Sequence, residues 1–369
     1  MNTRRLLPTV LLVLAVLASA CATATPTAAP SAPFRIAVVM PSATTDAAFS
    51  QSMWTALQAV QAEMGGESAV ELAYSEGMFN VPDAAAAIRD YATQGFDLVI
   101  AHGSQYGASV QEIAPDFPET SFAWGTNVDT FGLPNVFAYT AAAEEGGYVN
   151  GVIAAKLTQS KIIGVTGPVE VGDAKTYIQG FTAGVAATDP SIQVNATWTG
   201  SFSDVALMTE AAKTHIAAGA DILTGSSQSV VGSIGAAKDN GGVLWFGTQA
   251  DQASLAPELV VASQVYDWTG ILKDIIAKHK AGTLGGEAFT LHLANGGLKI
   301  AYSASSLAGA TGRGPAFGKL APIGGVGFVH IAQRGPAFGN LRGGRMQATP
   351  EPAVVISPSR FLLTLAMDS

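Results

Sequence analysis

One cysteine in 369 residues leaves no intramolecular disulfide, so the fold must rest on a buried core. Charge is scarce too: 13% of residues are charged, and 19 Lys and Arg face 28 Asp and Glu for a net −9. The charge is unevenly spread. Arg4 and Arg5 stand at the start, six basic against two acidic residues follow Ser303, and the segment 22–303 is left at −15. Such a body lacks the basic surface that displaces counterions, which excludes nucleic acid as a partner. Five histidines, His102, His215, His279, His292 and His330, are scattered without metal-ligand spacing. There is no G-x-S-x-G elbow, and the thiol stands near the terminus. The stretch Gly312–Leu320 superficially suggests a phosphate loop, but its glycines are one residue too far apart and Leu320 stands where Ser or Thr is required. No catalytic residue, metal or cofactor is therefore expected.

What is present begins with a leader. Two arginines precede an apolar run, Leu6–Leu17, and the small residues Ala18-Ser19-Ala20, the order of a secretory signal peptide over 1–21. The run is about a dozen residues, short of the roughly 20 that span a bilayer. Cys21 follows directly, an arrangement that resembles the lipobox of bacterial lipoproteins. That likeness implies lipid on Cys21 and a protein held at the extracytoplasmic face of the cell membrane. Ala18 departs from the leucine preferred there, and the alternative is a secreted protein whose Cys21 is incidental. Residues 22–33 (ATATPTAAPSAP) carry no charge and no large apolar side chain, so they read as an extended tether.

From Phe34 onward, short apolar runs alternate with amphipathic stretches. Strands are expected at 34–40, 70–74, 97–101 and 121–124, with helices at 47–64, 82–94 and 108–114. After a helix at 144–157 the rhythm restarts, with strands at 162–166, 192–198, 221–223 and 243–246 and helices between them. Such repetition predicts α/β architecture with parallel, doubly wound sheets. Two units of similar length imply two lobes, whose strand-end loops face one cleft.

The first of those loops reads Asp46-Ala47-Ala48-Phe49-Ser50-Gln51-Ser52-Met53-Trp54. It resembles the D-x-x-F-N-Q-x-x-W/Y signature of the basic membrane protein family, substrate-binding lipoproteins of ABC importers similar to purine nucleoside receptors. The likeness continues through 138–151 (AYTAAAEEGGYVNG), Tyr177–Gly184, 200–204 (GSFSD), 219–221 (GAD) and 247–252 (GTQADQ). It implies a type I periplasmic binding protein fold with two lobes joined by a hinge, 34–140 plus 249–287 and 141–248 plus 288–303. It also implies a small flat ligand, purine nucleoside or nucleobase, bound without turnover and passed to an ABC permease. A ligand-sensing lipoprotein that signals to a membrane partner is the alternative.

By the same resemblance Phe49 stacks on the ligand ring, with Asp46, Ser50 and Gln51 as polar partners; the bland reading of Phe49 is a staple on the following helix. His102, Ser104, Gln105 and Tyr106 are the polar or aromatic side chains available near where the family often carries an aspartate that pairs with the purine edge, here Ala108. Further on, Gln249 replaces a family aspartate associated with ribose hydroxyls while Asp251 remains, and Tyr266 replaces a lysine. Trp124, Trp268 and Tyr266 are aromatic walls or core. From the second lobe, 168–173 and Gly225-Ser226-Ser227-Gln228 follow strands, and the two serines are ligand contacts or helix caps.

Past Ser303 acidic residues nearly vanish and RGPAFG occurs twice, at 313–318 and 334–339. This basic, glycine-rich tail, 304–369, does not look like the family C-terminus. It reads either as an out-of-frame stretch or as a basic extension touching anionic lipid, with a strand or short helix over 354–365.

Overall fold

The computed structural model describes residues 32–303 and three later strand segments, Gly327–Val329, Ala353–Ile356 and Leu363–Ala366. Cys21, most of the tether and the rest of the tail lie outside the described residues. In the tail, the last two segments pair antiparallel, two short strands where a single element is expected.

The first lobe opens with β1 (Phe34–Val39), α1 (Phe49–Glu63), β2 (Val70–Ser75) and α2 (Val81–Thr93). Next come β3 (Leu98–His102), α3 (Gly107–Ile113), β4 (Ser121–Gly125) and β5 (Val136–Ala141). Near-continuous burial of β1, β3 and β4 fits parallel strands covered by helices on both faces. Helix starts are locally encoded. The Asn80 side chain accepts from the Asp83 amide, with Pro82 in the first turn of α2.

The second lobe contains α4 (Ala143–Leu157), β6 (Ile162–Gly167), α5 (Gly172–Thr188), β7 (Gln193–Trp198) and α6 (Val205–Ala217). It continues through β8 (Ile222–Gly225), α7 (Val230–Asn240), β9 (Leu244–Gln249) and β10 (Val260–Tyr266). Helix α8 (Thr269–Lys280), β11 (Ala288–Leu291) and β12 (Leu298–Tyr302) follow. One sheet has the order β11-β5-β4-β3-β1-β2 and is parallel throughout. The other runs β12-β10-β9-β8-β6-β7, with β12 antiparallel to β10 and the segment Gly327–Val329 beyond it as β13.

These registers redraw the expected lobe boundaries. Strand β10, expected in the first lobe, pairs with β9 of the second sheet, Ser263 opposite Gly247. Strand β11, expected in the second, pairs with β5 of the first, Phe289 opposite Tyr139. The apolar run at β10 fills the free edge of β9, and α8 is the element that returns to pack on α1. The chain thus passes between sheets three times, after β5, after β10 and after β11.

Candidate functional site

The strand-end loops of both lobes meet at one cleft of about 480 Å³, a volume that includes the solvent at its mouth. Pro41, Phe49, Phe79, Gly103, Ser104, Gln105 and Thr126 line it from the first lobe. From the second come Val171–Ala174, Phe202, Ser226, Ser227, Gln228 and Gln249. The only formal charge among these lining residues is Asp173.

The loop before α1 explains its own motif. The Asp46 carboxylate accepts from the amides of Ala48, Ser50 and Gln51 and from the Ser42 hydroxyl. Burial raises the pKa of Asp46 against the lowering effect of these donors. Gln51 Oε1 accepts in return from the Ala47 amide at 2.9 Å, an arrangement like a capping box. Ser50 Oγ accepts from the Ser42 amide and bonds the Ser42 hydroxyl. Asp46, Ser50 and Gln51 therefore build the loop and do not face the cleft, which corrects their expected role. Their product is the placement of Phe49, stacked on the His102 imidazole with centroids 3.8 Å apart and planes 10° from parallel.

His102 is fixed in turn. Nε2 donates to the Phe49 carbonyl at 3.1 Å, and Nδ1 accepts from the Tyr139 hydroxyl at 2.8 Å. Complete burial holds its pKa down to about 3. The ring beneath Phe49 is thus neutral.

Across the cleft, the loop carrying Phe202 is pinned by its carbonyl, which accepts from Ser227 Oγ at 2.8 Å and Ser229 Oγ at 2.9 Å. Ser227 Oγ also accepts from the Ser229 amide, so Ser227 builds the turn. Ser226 Oγ, buried beside it, has no hydrogen-bond partner among the described residues. Neither Ser226 nor Ser227 caps α7, whose N-cap is Ser229 with no side-chain cap hydrogen bond.

Asp173, in the first turn of α5, gathers donors from both lobes. Its Oδ1 accepts from Thr126 Oγ1 at 3.2 Å. Its Oδ2 accepts from Gln249 Nε2 and the Tyr266 hydroxyl, both at 3.0 Å. Burial and the adjacent Asp173 charge push the Tyr266 pKa well up, so the phenol stays a donor.

Of the expected site residues, Phe49, Ser104, Ser226 and Gln249 line the cleft. Tyr106 stands behind it with its hydroxyl donating to the Met78 carbonyl at 2.6 Å. Trp124 donates to the Asp129 carbonyl and stacks on Phe131, away from the cleft. Gly225 is packed so that a Cβ would meet the Thr166 carbonyl at 2.3 Å. Asp251 accepts from the Ala253 amide, Tyr266 reaches the cleft only through Asp173, and Trp268 is core, bonded to Ser52. Pro41, Phe79, Thr126, Ala174 and Phe202 are lining residues that sequence reasoning misses. Phe202 lies within the quoted GSFSD stretch, the one signal that points to it.

Residues 34–310 match the family model described as ABC transporter substrate-binding protein, PnrA-like. A purine-binding protein of Brucella abortus is 32% identical over 199 residues, 54% of this chain and 56% of that relative. The chain thus spans little more than half of that relative's length. The nucleoside-binding protein BmpA of Lactococcus lactis is 25% identical over 273 residues, 69% of this chain and 77% of its own. Among solved structures, an ABC transporter solute-binding protein of Conexibacter woesei gives a TM-score of 0.60 at 25% identity, covering 72% of this chain and 87% of that one.

Proposed function

Because this chain belongs to the PnrA-like family of ABC transporter substrate-binding proteins, we propose that it captures a flat, uncharged heterocycle, a purine nucleoside or nucleobase, and delivers it to an ABC permease for import. The observation that carries this reading is the pair of aromatic rings, Phe49 and Phe202, lining one cleft from opposite lobes. An aromatic face on each side suits a planar ligand, whose edge then meets the polar side chains between them. The lining has no Lys or Arg to neutralise a phosphate, so nucleotides are disfavoured. Two relatives named for purine and nucleoside binding point the same way.

Binding is the whole of the mechanism. The ligand bridges the lobes and favours the closed state, which the permease recognises. Export through the leader and lipid on Cys21 would hold the receptor beside its permease, with the 22–33 tether setting its reach.

A thermal-shift screen of nucleosides, nucleobases, sugars and amino acids tests the ligand class. Stabilisation by purines is expected, and stabilisation by sugars or amino acids alone would refute the reading. Phe49→Ala is expected to weaken purine binding roughly tenfold, in the range of base–aromatic stacking. Calorimetry showing unchanged affinity would return Phe49 to a packing role.

A further inference from the structure

The cleft holds a carboxylate without a matching cation. Among the described residues that line it, Asp173 carries the only formal charge. Its side-chain donors are all neutral: Thr126 Oγ1 at 3.2 Å on Oδ1, with Gln249 Nε2 and the Tyr266 hydroxyl, both at 3.0 Å, on Oδ2. Such donors fix the carboxylate and leave its charge in place. Lys175, two residues further along α5, lies 3.3 Å from Glu170, so that cation already has an acid beside it. The positive end of α1 is matched as well, because Asp46 accepts from the Ala48, Ser50 and Gln51 amides. Asp173 itself occupies the first turn of α5. By contrast Asp267, half-buried after β10, is met by Lys299.

Resting on the heterocycle reading above, we propose that Asp173 is a specificity-determining charge filter, which admits a heterocycle while its rings are neutral and turns away the conjugate base. The effect reaches beyond the exclusion of phosphates, since loss of one ring proton is enough to bring it into play. Nor does it depend on which edge of the ligand faces Asp173. A cleft of about 480 Å³ is roughly 10 Å across if round, and at that distance a second negative charge is still disfavoured roughly tenfold at an effective dielectric constant of about 20. Closer approach raises the factor. A like charge beside an acid favours its protonated form, so an acidic ligand should enter by taking up a proton.

The test compares inosine with xanthosine by titration calorimetry on the whole protein. The two share sugar and fused rings, but the second ring oxo group makes xanthosine acidic enough to be an anion at neutral pH. Near pH 7.5 inosine is expected to bind about tenfold tighter or more. Near pH 6.5 xanthosine binding should take up protons, read as a heat that varies with the buffer's ionisation enthalpy. Inosine in the same buffers is the blank for every protein group that titrates. Asp173→Asn removes the charge at constant size, and should bring xanthosine to within about threefold of inosine and abolish the uptake. Any loosening of the Thr126 contact shifts both ligands together and cancels in their ratio. Gln105→Lys, which places a cation in the first lobe's lining, should narrow the same ratio and keeps the test open if Asp173→Asn does not fold. If only free bases bind, hypoxanthine and xanthine make the comparison at higher pH. The anion binding as tightly as its neutral counterpart to the unaltered protein, without proton uptake, overturns this inference alone. So does a gap that stays the same in folded Asp173→Asn or Gln105→Lys, which would assign the rejection to fit. Failure of every purine to bind overturns the heterocycle reading together with this one.

Discussion

The stacked pair of Phe49 and His102 makes the receptor wall sensitive to acid. In the folded protein the imidazole is buried and its pKa lies at about 3, against about 6.5 in an unfolded chain. Above pH 6.5 neither state is protonated, and His102 adds no pH dependence. Below it the unfolded state takes up a proton that the native state refuses, so stability is lost as pH falls toward 3. At pH 5 this single group costs about 2 kcal/mol, from 1.36 kcal/mol per pKa unit. His215 and His279, also lowered by burial, act in the same direction. His102→Gln should therefore lose less stability than the unaltered protein between pH 7 and pH 5. Urea unfolding at both values measures this, and parallel losses would show that His102 does not report acid.

At the scale of elements, two of the motifs that mark the family turn out to be packing devices. Gly147 and Gly151 of α4 face Gly180 and Gly184 of α5, and a Cβ on any of them would meet the partner helix backbone at 2.1–2.4 Å. The two helices approach so closely that neither offers these positions to a ligand. Gly184→Ala would press on the Tyr148 carbonyl at 2.2 Å, and overpacking of this kind costs about 1–3 kcal/mol. A lowered unfolding midpoint with purine affinity retained is the expected pair of results; loss of affinity in a protein that keeps its stability would place these glycines in the site instead.

The same contrast shows what a sequence can disclose. Strands β1, β3, β4, β6 and β8 are legible because a parallel strand buried on both faces is a short apolar run between helical periods. The sheet membership of β10 and β11 is not, because pairing is decided by which edge lies free. At the site, the family resemblance points to Phe49 and Gln249, and strand-end position to Ser104 and Ser226, as candidates. It does not reveal that Asp46 and Gln51 spend their side chains on their own loop. Nor does spacing say which residue of GSFSD faces inward. The departures at 249 and 266 look unrelated in sequence, yet both side chains donate to Asp173, a coupling only tertiary structure supplies.

At the scale of the whole molecule, the lobes are joined by three chain passages and touch directly across the cleft. Near one passage, His292 Nδ1 lies 2.9 Å from Glu145 Oε1, while Glu145 Oε2 accepts from the Leu293 amide at 2.8 Å. Gln252 Nε2 reaches the Ala47 carbonyl at 3.1 Å. At the site itself, Thr126 of the first lobe donates to Asp173 of the second. That last bond forms only when the lobes meet, so it stabilises closure without stabilising either lobe. Thr126→Val removes the hydroxyl at nearly constant volume and leaves both cores intact. Loss of one such bond is worth about 1 kcal/mol, which shifts the open–closed balance roughly fivefold toward open. Ligand must then supply that difference, so purine affinity should fall by about the same factor. Small-angle scattering should show a larger radius of gyration without ligand, recovered at saturation. An unchanged radius together with unchanged affinity would mean that the Thr126–Asp173 contact does not govern closure, and that the hinge passages alone set it.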